Sequence, residues 1–242
     1  MNQITEKTIR EIALEAPATT RVFEEFKIDY CCGGRRSIED VCRAAGIDPN
    51  VLTDRINAVI DNKDAVDVDH PEDKKPTALI GYILDKHHVF TAQELERLTP
   101  LMAKVVNRHG ENHPELHELQ MVFTALADSL VPHMRKEEGV LFPYIQMLEA
   151  AADGVTPAPM SHFGTVQNPI RMMMSEHDTD GDRLKRMRAI TDDYKLPDGA
   201  CPSFTALYAG LEDLERDLHR HIHLENNVLF PAAANLEASF TR

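Results

Sequence analysis

Tryptophan is absent from this 242-residue chain, glycine is held to 11 residues and cysteine to four. Scarce glycine and missing tryptophan disfavour a turn-rich β architecture and lean the composition towards helix. The cysteines are Cys31, Cys32, Cys42 and Cys201, and two of them adjoin, which is not the spacing of a secreted disulfide scaffold. No apolar stretch approaches the roughly 20 residues that span a bilayer. Near the N-terminus Glu6, Glu11 and Glu15 interrupt the apolar run that a signal peptide would need. Positive charge is also short: 26 Lys and Arg against 40 Asp and Glu leave a net charge of −14. Such a surface repels phosphate backbones, so neither nucleic acid nor an anionic membrane is an expected partner. A reducing cytoplasm is the expected location. What is present is 43% apolar residue, enough for a real core without cross-links.

Residues 63–76, KDAVDVDHPEDKKP, are charged, carry two prolines and show no helical apolar period. They are read as a linker between a small N-terminal domain (1–62) and a larger unit (77–242). In the first unit Ile9, Ile12, Ala13 and Ala16 have helical spacing up to Pro17, and Val22, Phe23 and Phe26 mark a second short helix. CCGG at 31–34 is a turn. Ser37 and Asp40 open a third helix that Gly46 closes, and Asp48-Pro49 opens a fourth. The second unit predicts four long helices: about Thr77 to Asn107, Pro114 towards Leu148, Asn168-Pro169 to about Tyr194, and Ser203 past Phe230. Pro132, Pro143 and Pro231 should bend or end their helices locally. The expected fold is all-α, a small helical domain followed by an antiparallel four-helix bundle.

The bundle repeats itself. HMRKEEGVLFP (133–143) matches HIHLENNVLFP (221–231), so His133, Glu137, Leu141, Phe142 and Pro143 map onto His221, Glu225, Leu229, Phe230 and Pro231. His88 maps onto His177 in the same way. Residues four apart share a helix face, so His133 with Glu137, and His221 with Glu225, can each approach one metal region. His88 and His133 both lie about 28 Å from their connecting turn at 1.5 Å rise per residue, and His177 and His221 stand level by the same reasoning. Leu126, Leu130, Leu214 and Leu218 precede them on one stripe. A carboxylate on an apolar stripe needs a partner, and metal ions provide one. Four histidines and two glutamates point to two metal ions with bridging carboxylates, although spacing does not choose iron over zinc or manganese. Each of these positions alone would more often be a core histidine or a surface pair; the repetition argues for a site.

With these residues on the page, the pattern His88, His133-x-x-x-Glu137, His177, His221-x-x-x-Glu225 on four helices resembles a hemerythrin-like bundle. Together with SEHD (175–178) and DYCCGG (29–34), the two repeat strings resemble the Repair of Iron Centres family of ScdA/YtfE type. The resemblance implies a cytoplasmic protein with two non-haem iron ions, held by His88, His133, Glu137, His177, His221 and Glu225. It further implies repair of iron–sulfur clusters in damaged iron–sulfur proteins after nitrosative or oxidative stress, through iron donation, by a monomer or homodimer. The alternatives are nitric-oxide reductase or peroxidase activity at the same centre, or a dioxygen or nitric-oxide sensor or carrier; whether the protein is an enzyme stays open. Cys31 and Cys32 are the candidate redox or metal-handling residues, against a reading as one buried and one exposed cysteine. Cys42 and Cys201 are expected to be structural. His109, His113 and His117 are expected to be solvated, with a supporting role at the site open for His109. His219 and His223 are expected to face away from the site, Met172, Met173 and Met174 to pack in the core, and Glu138 and Glu176 to point to other faces.

Overall fold

The computed structural model describes residue 4 and residues 7–61 and 71–240. Among them there is no strand, only an isolated antiparallel bridge between Thr8 and Ser37. The N-terminal helices are α1 (Ile9–Glu15), α2 (Thr20–Glu25), α3 (Ile38–Ala45) and α4 (Pro49–Asp61). Thr8 and Glu11 form a reciprocal capping box on α1. Ser37 Oγ accepts from the Asp40 N–H to start α3, and Gly46 at φ 69° ends it in the left-handed conformation that glycine adopts without strain. Ile9, Ile12, Phe23, Ile38, Cys42, Leu52 and Ile56 form this domain's core, which accounts for Cys42 as a small buried apolar group.

The larger unit runs through α5 (Pro76–Ile83), α6 (Val89–His109), α7 (Glu115–Lys136), α8 (Phe142–Ala152), α9 (Gln167–Ile190), α10 (Pro202–Leu224) and α11 (Phe230–Ser239). Of the predicted linker, residues 63–70 lie outside the described residues. Beyond them Pro71 is buried in a short 3-10 turn and Glu72 pairs with Arg220. Helix α9 stops at Ile190, four residues before the expected Tyr194. Asp192, Asp193 and Tyr194 all take positive φ there, and Thr191 Oγ1 accepts from the Tyr194 N–H at 3.0 Å.

The expected breaks at Pro143 and Pro231 take a different form. Three π-helical turns, Leu84–His88, Glu137–Leu141 and Glu225–Leu229, join α5 to α6, α7 to α8 and α10 to α11 without ending the rods. The N–H groups of Val89, Phe142 and Phe230 each bond five residues back. The two prolines follow directly, where their missing N–H falls at the widened turn. Proline is not the sole cause, because Leu84–His88 has none.

Apolar side chains fill the bundle on both sides of these turns. One cluster contains Leu95, Leu98, Met102, Leu126, Leu130, Leu184, Leu214 and Leu218. The other contains Ile80, Ile83, Leu141, Phe142, Ile170, Met173, Leu229 and Phe230. Each fully buried leucine or phenylalanine stabilises the fold by about 1.5–3 kcal/mol. Met173 packs in the core as expected, whereas Met172 is half exposed. Between the two clusters lies a polar layer, and it carries the repeated histidines and glutamates.

Candidate metal centre

All six repeated residues reach this layer and are buried, with Glu137 and Glu225 at 0% exposure. They fall into two groups whose ligand atoms lie within 4.8 Å of one another: His88, Glu137, His221 and Glu225; and His133, Glu137, His177 and Glu225. The adjoining His87 belongs to neither group. Both glutamates are shared, and each divides its oxygens. Glu137 places Oε2 3.5 Å from His88 Nε2 and Oε1 3.3 Å from His133 Nε2. Glu225 places Oε1 3.1 Å from His221 Nε2 and Oε2 3.3 Å from His177 Nε2. The heights expected within each hairpin agree, but the histidines group across hairpins, α5–α6 with α10 and α7 with α9. The packing of α6 against α10, and of α7 against α9, produces this.

The donor set fits cations. Both oxygens of Glu137, Oε2 of Glu225 and Nε2 of His88 are buried without a hydrogen-bond partner, an arrangement that is costly unless a charge compensates it. His133 Nε2 and His177 Nε2 face one another at 3.0 Å. Their Nδ1 atoms are engaged from outside, by Glu176 at 2.7 Å and by Asn226 Oδ1 at 2.9 Å. An imidazole donating from Nδ1 carries a lone pair on Nε2, so two lone pairs converge where a cation or a proton is needed. Burial alone would push His133 down; Glu137, Glu225 and Glu176 outweigh it and hold its pKa at about 9. Burial keeps His221 neutral, the state in which imidazole binds metal.

Three of the four rings have such an outer anchor, since His88 Nδ1 bonds Glu138 at 2.7 Å. This corrects the expectation that Glu138 and Glu176 point away from the site. One position on from a ligand, a side chain does leave its own helix's inner face, but in a four-helix bundle the flank looks at the neighbouring helix. There Glu138 meets His88 and Glu176 meets His133. Asn226 was missed altogether; its only sequence signal is its place directly after Glu225. His221 Nδ1 has no partner, and its ring stacks on His87 at 5.5 Å with planes 6° apart. His87 in turn bonds Asp217 at 2.9 Å.

The other histidines serve elsewhere. His219 bonds Glu24 and His223 lies against Tyr30, both between the bundle and the N-terminal domain. His109 Nε2 lies 3.2 Å from Cys201 Sγ, far along the chain from the centre, so it supports no ligand. His113 bonds Glu115.

Cys31 and Cys32 occupy the predicted turn, with Sγ atoms 3.7 Å apart, and neither forms a disulfide. Asp29 Oδ1 accepts from the N–H groups of Cys31, Cys32 and Gly33 at 3.2, 2.9 and 3.0 Å. Cys32 alongside, burial and Asp29 push the Cys31 thiol up, so it is protonated when nothing is bound. The turn rests on the bundle. Asn227 Nδ2 donates to Cys31 O at 3.3 Å, and Arg10 Nη2 donates to Asn227 O at 3.1 Å.

Comparison with known proteins agrees with this geometry. Residues 79–233 match the hemerythrin HHE cation binding domain, and residues 5–60 match a domain of unknown function, DUF542, named ScdA_N. The iron-sulfur cluster repair protein ScdA of Staphylococcus epidermidis is 32% identical over 226 residues, covering 93% of this chain and 96% of that one. The iron-sulfur cluster repair protein YtfE of Musicola paradisiaca is 34% identical over 238 residues, covering 96% and 98%. YtfE of Yersinia pseudotuberculosis is 30% identical over 228 residues, covering 94% and 96%. A bundle of hemerythrin type, preceded by the ScdA_N domain and alike over nearly its whole length to these relatives, belongs to the ScdA/YtfE family.

Proposed function

We propose that this protein repairs damaged iron–sulfur clusters by donating iron, in the cytoplasm, from a two-iron centre held by His88, His133, Glu137, His177, His221 and Glu225. The observation that carries this reading is the division of Glu137 and Glu225, each giving one oxygen to each histidine pair. Bridging carboxylates over a four-imidazole set suit two ions side by side. Iron bound there supplies redox and Lewis-acid chemistry. The chain's residues do the rest. Glu138, Glu176 and Asn226 orient three rings, and the apolar layers on either side exclude water. Residues 1–62 form the domain that presents Cys31 and Cys32, residues 63–76 connect it, and residues 77–242 hold the iron. The clients are damaged iron–sulfur proteins, and the relatives named for cluster repair support that choice.

Purified, iron-loaded protein should restore activity to an enzyme whose [4Fe–4S] cluster has been damaged by nitric oxide. Equal restoration by a Glu137→Gln/Glu225→Gln protein would overturn the reading. Full activity in a Cys31→Ala/Cys32→Ala protein would remove the thiols from it.

A second reading, reduction of nitric oxide or peroxide at the same centre, is favoured by one feature. A cavity of about 680 Å³ between the N-terminal domain and the bundle, lined by Tyr30, Phe90 and His87 among others, ends beside the His87–His221 stack. Steady turnover of nitric oxide with an added reductant would select it.

A further inference from the structure

Outside the bundle centre, one other cluster gathers cation-binding groups. Cys31 Sγ lies 3.3 Å from Asp29 Oδ1 and 3.7 Å from Cys32 Sγ, and donor atoms of all three residues fall within 4.8 Å of one another. The sulfur spacing has a specific meaning. Two thiolates on one tetrahedral ion, each at about 2.3 Å, stand about 3.8 Å apart. The turn holds that spacing in advance. Asp29 Oδ1 gathers three successive N–H groups, and Asp29 Oδ2 is fixed 3.1 Å from Lys185 Nζ on α9. Gly34 lets the chain close, since a Cβ there would meet Tyr30 O at 2.5 Å. Cys31 is buried while Cys32 is partly open. Beside them lies a cavity of about 200 Å³, lined also by Met174 and Asp178 of α9 and by Asn226 and Asn227.

We propose that Asp29, Cys31 and Cys32 form a second cation site, one that takes a thiophilic divalent ion such as iron(II) and exchanges it through this cavity. The proposal rests on the iron-donation reading and gives it a holding place distinct from the bundle centre. Two sulfurs and one carboxylate oxygen suit borderline-soft divalent ions over magnesium or calcium. Three protein ligands leave a coordination position open, as exchangeable sites require and closed structural sites do not. On binding, two metal–sulfur bonds form and two thiol protons leave to solvent; no electron moves and no oxidant is consumed. The cavity and the bundle centre share one side chain, because Asn226 lines the first and holds His177 in the second.

The test is a titration of the iron-loaded chain with cadmium(II), followed by the near-ultraviolet sulfur-to-metal charge-transfer band. The bundle centre offers only nitrogen and oxygen, so the band reports thiols. The expected result is saturation at one equivalent, with loss of the band in Cys31→Ser/Cys32→Ser. Asp29→Asn keeps the oxygen that accepts the three N–H groups and should weaken binding by about ten-fold. Circular dichroism and bundle iron content establish that each variant is folded. A band that survives in Cys31→Ser/Cys32→Ser overturns the proposal, because Cys201 or Cys42 would then be its source. Absence of any band, or thiols that oxidise to a vicinal disulfide without binding cadmium(II), overturns it equally. Cluster repair does not enter this measurement, so failure here and failure of the repair assay are separate results.

Discussion

Asn226 and Asn227 sit side by side on one π-turn and serve different domains. Asn226 Oδ1 holds His177 Nδ1 at 2.9 Å, while Asn227 Nδ2 donates to Cys31 O at 3.3 Å. Asn227 Nδ2 also lies 3.0 Å from His223 Nδ1, whose ring burial and Arg220 keep neutral, with its pKa pushed down to about 3. The two side chains should therefore separate on substitution. Asn226→Ala should lower iron affinity 10- to 100-fold, about the usual effect of losing a ligand's outer partner, measured by competition with a chelator. Asn227→Ala should leave iron affinity in place and loosen the N-terminal domain by about 1–2 kcal/mol. Hydrogen exchange would then quicken over residues 9–60 and not over the bundle.

Glu138 and Glu176 should behave like Asn226. Each bonds a ligand ring at 2.7 Å, and Glu176 is also paired with Lys136. Glu138→Ala and Glu176→Ala should each cost about 10- to 100-fold in iron affinity without loss of helix content. Unchanged metal retention in both would show that the anchors do not tune the centre.

Iron removal should destabilise the bundle. At free iron 100-fold above Kd, binding stabilises the native state by about 2.7 kcal/mol, which raises Tm by about 5–10 °C for a chain of this size. Differential scanning calorimetry before and after chelation measures the difference.

Neutralising the bridging carboxylates should have opposite effects in the two forms. In metal-free protein Glu137→Gln removes a buried charge whose two oxygens lack hydrogen-bond partners, so Tm should hold or rise. In iron-grown protein the same change should lower bound iron and reduce Tm. A fall in Tm for both forms would show that Glu137 is satisfied without a cation.

Gly34→Ala should damage the thiol turn selectively. The added methyl would approach Tyr30 O to 2.5 Å and Arg10 Cβ to 3.2 Å, a clash of about 1–3 kcal/mol that the backbone must absorb. Alkylation of Cys31 should become faster, while iron in the bundle stays.

The site's membership was legible because it is written twice. His133-x-x-x-Glu137 and His221-x-x-x-Glu225 repeat on leucine stripes, and helix rise alone sets them level. What pairs across the bundle was not legible. Which histidine shares a cation with which depends on helix neighbours, and single-helix periodicity carries no information about them. The same gap hid Glu138, Glu176 and Asn226, whose partners are 50, 43 and 49 residues away in sequence. Helix starts were readable wherever a capping side chain announces them, as at Ser37. The end of α9 was not, because Thr191 and three left-handed residues make a stop without glycine. Pro143 and Pro231 were visible as irregularities, but sequence does not say that a chain passes a proline by widening its turn.

Those widened turns leave the protein intolerant of small length changes at its centre. Deleting a single residue from Glu225–Leu229 would allow ordinary winding to run straight through. Everything beyond would then rotate by about 100° about the rod's axis, given 3.6 residues per turn. Leu229 and Phe230 would swing out of the interior, and the carboxylate's height against the three neighbouring rods would be lost. Point substitutions nearby can be graded in their effects; a one-residue frame slip in this rod is all or nothing.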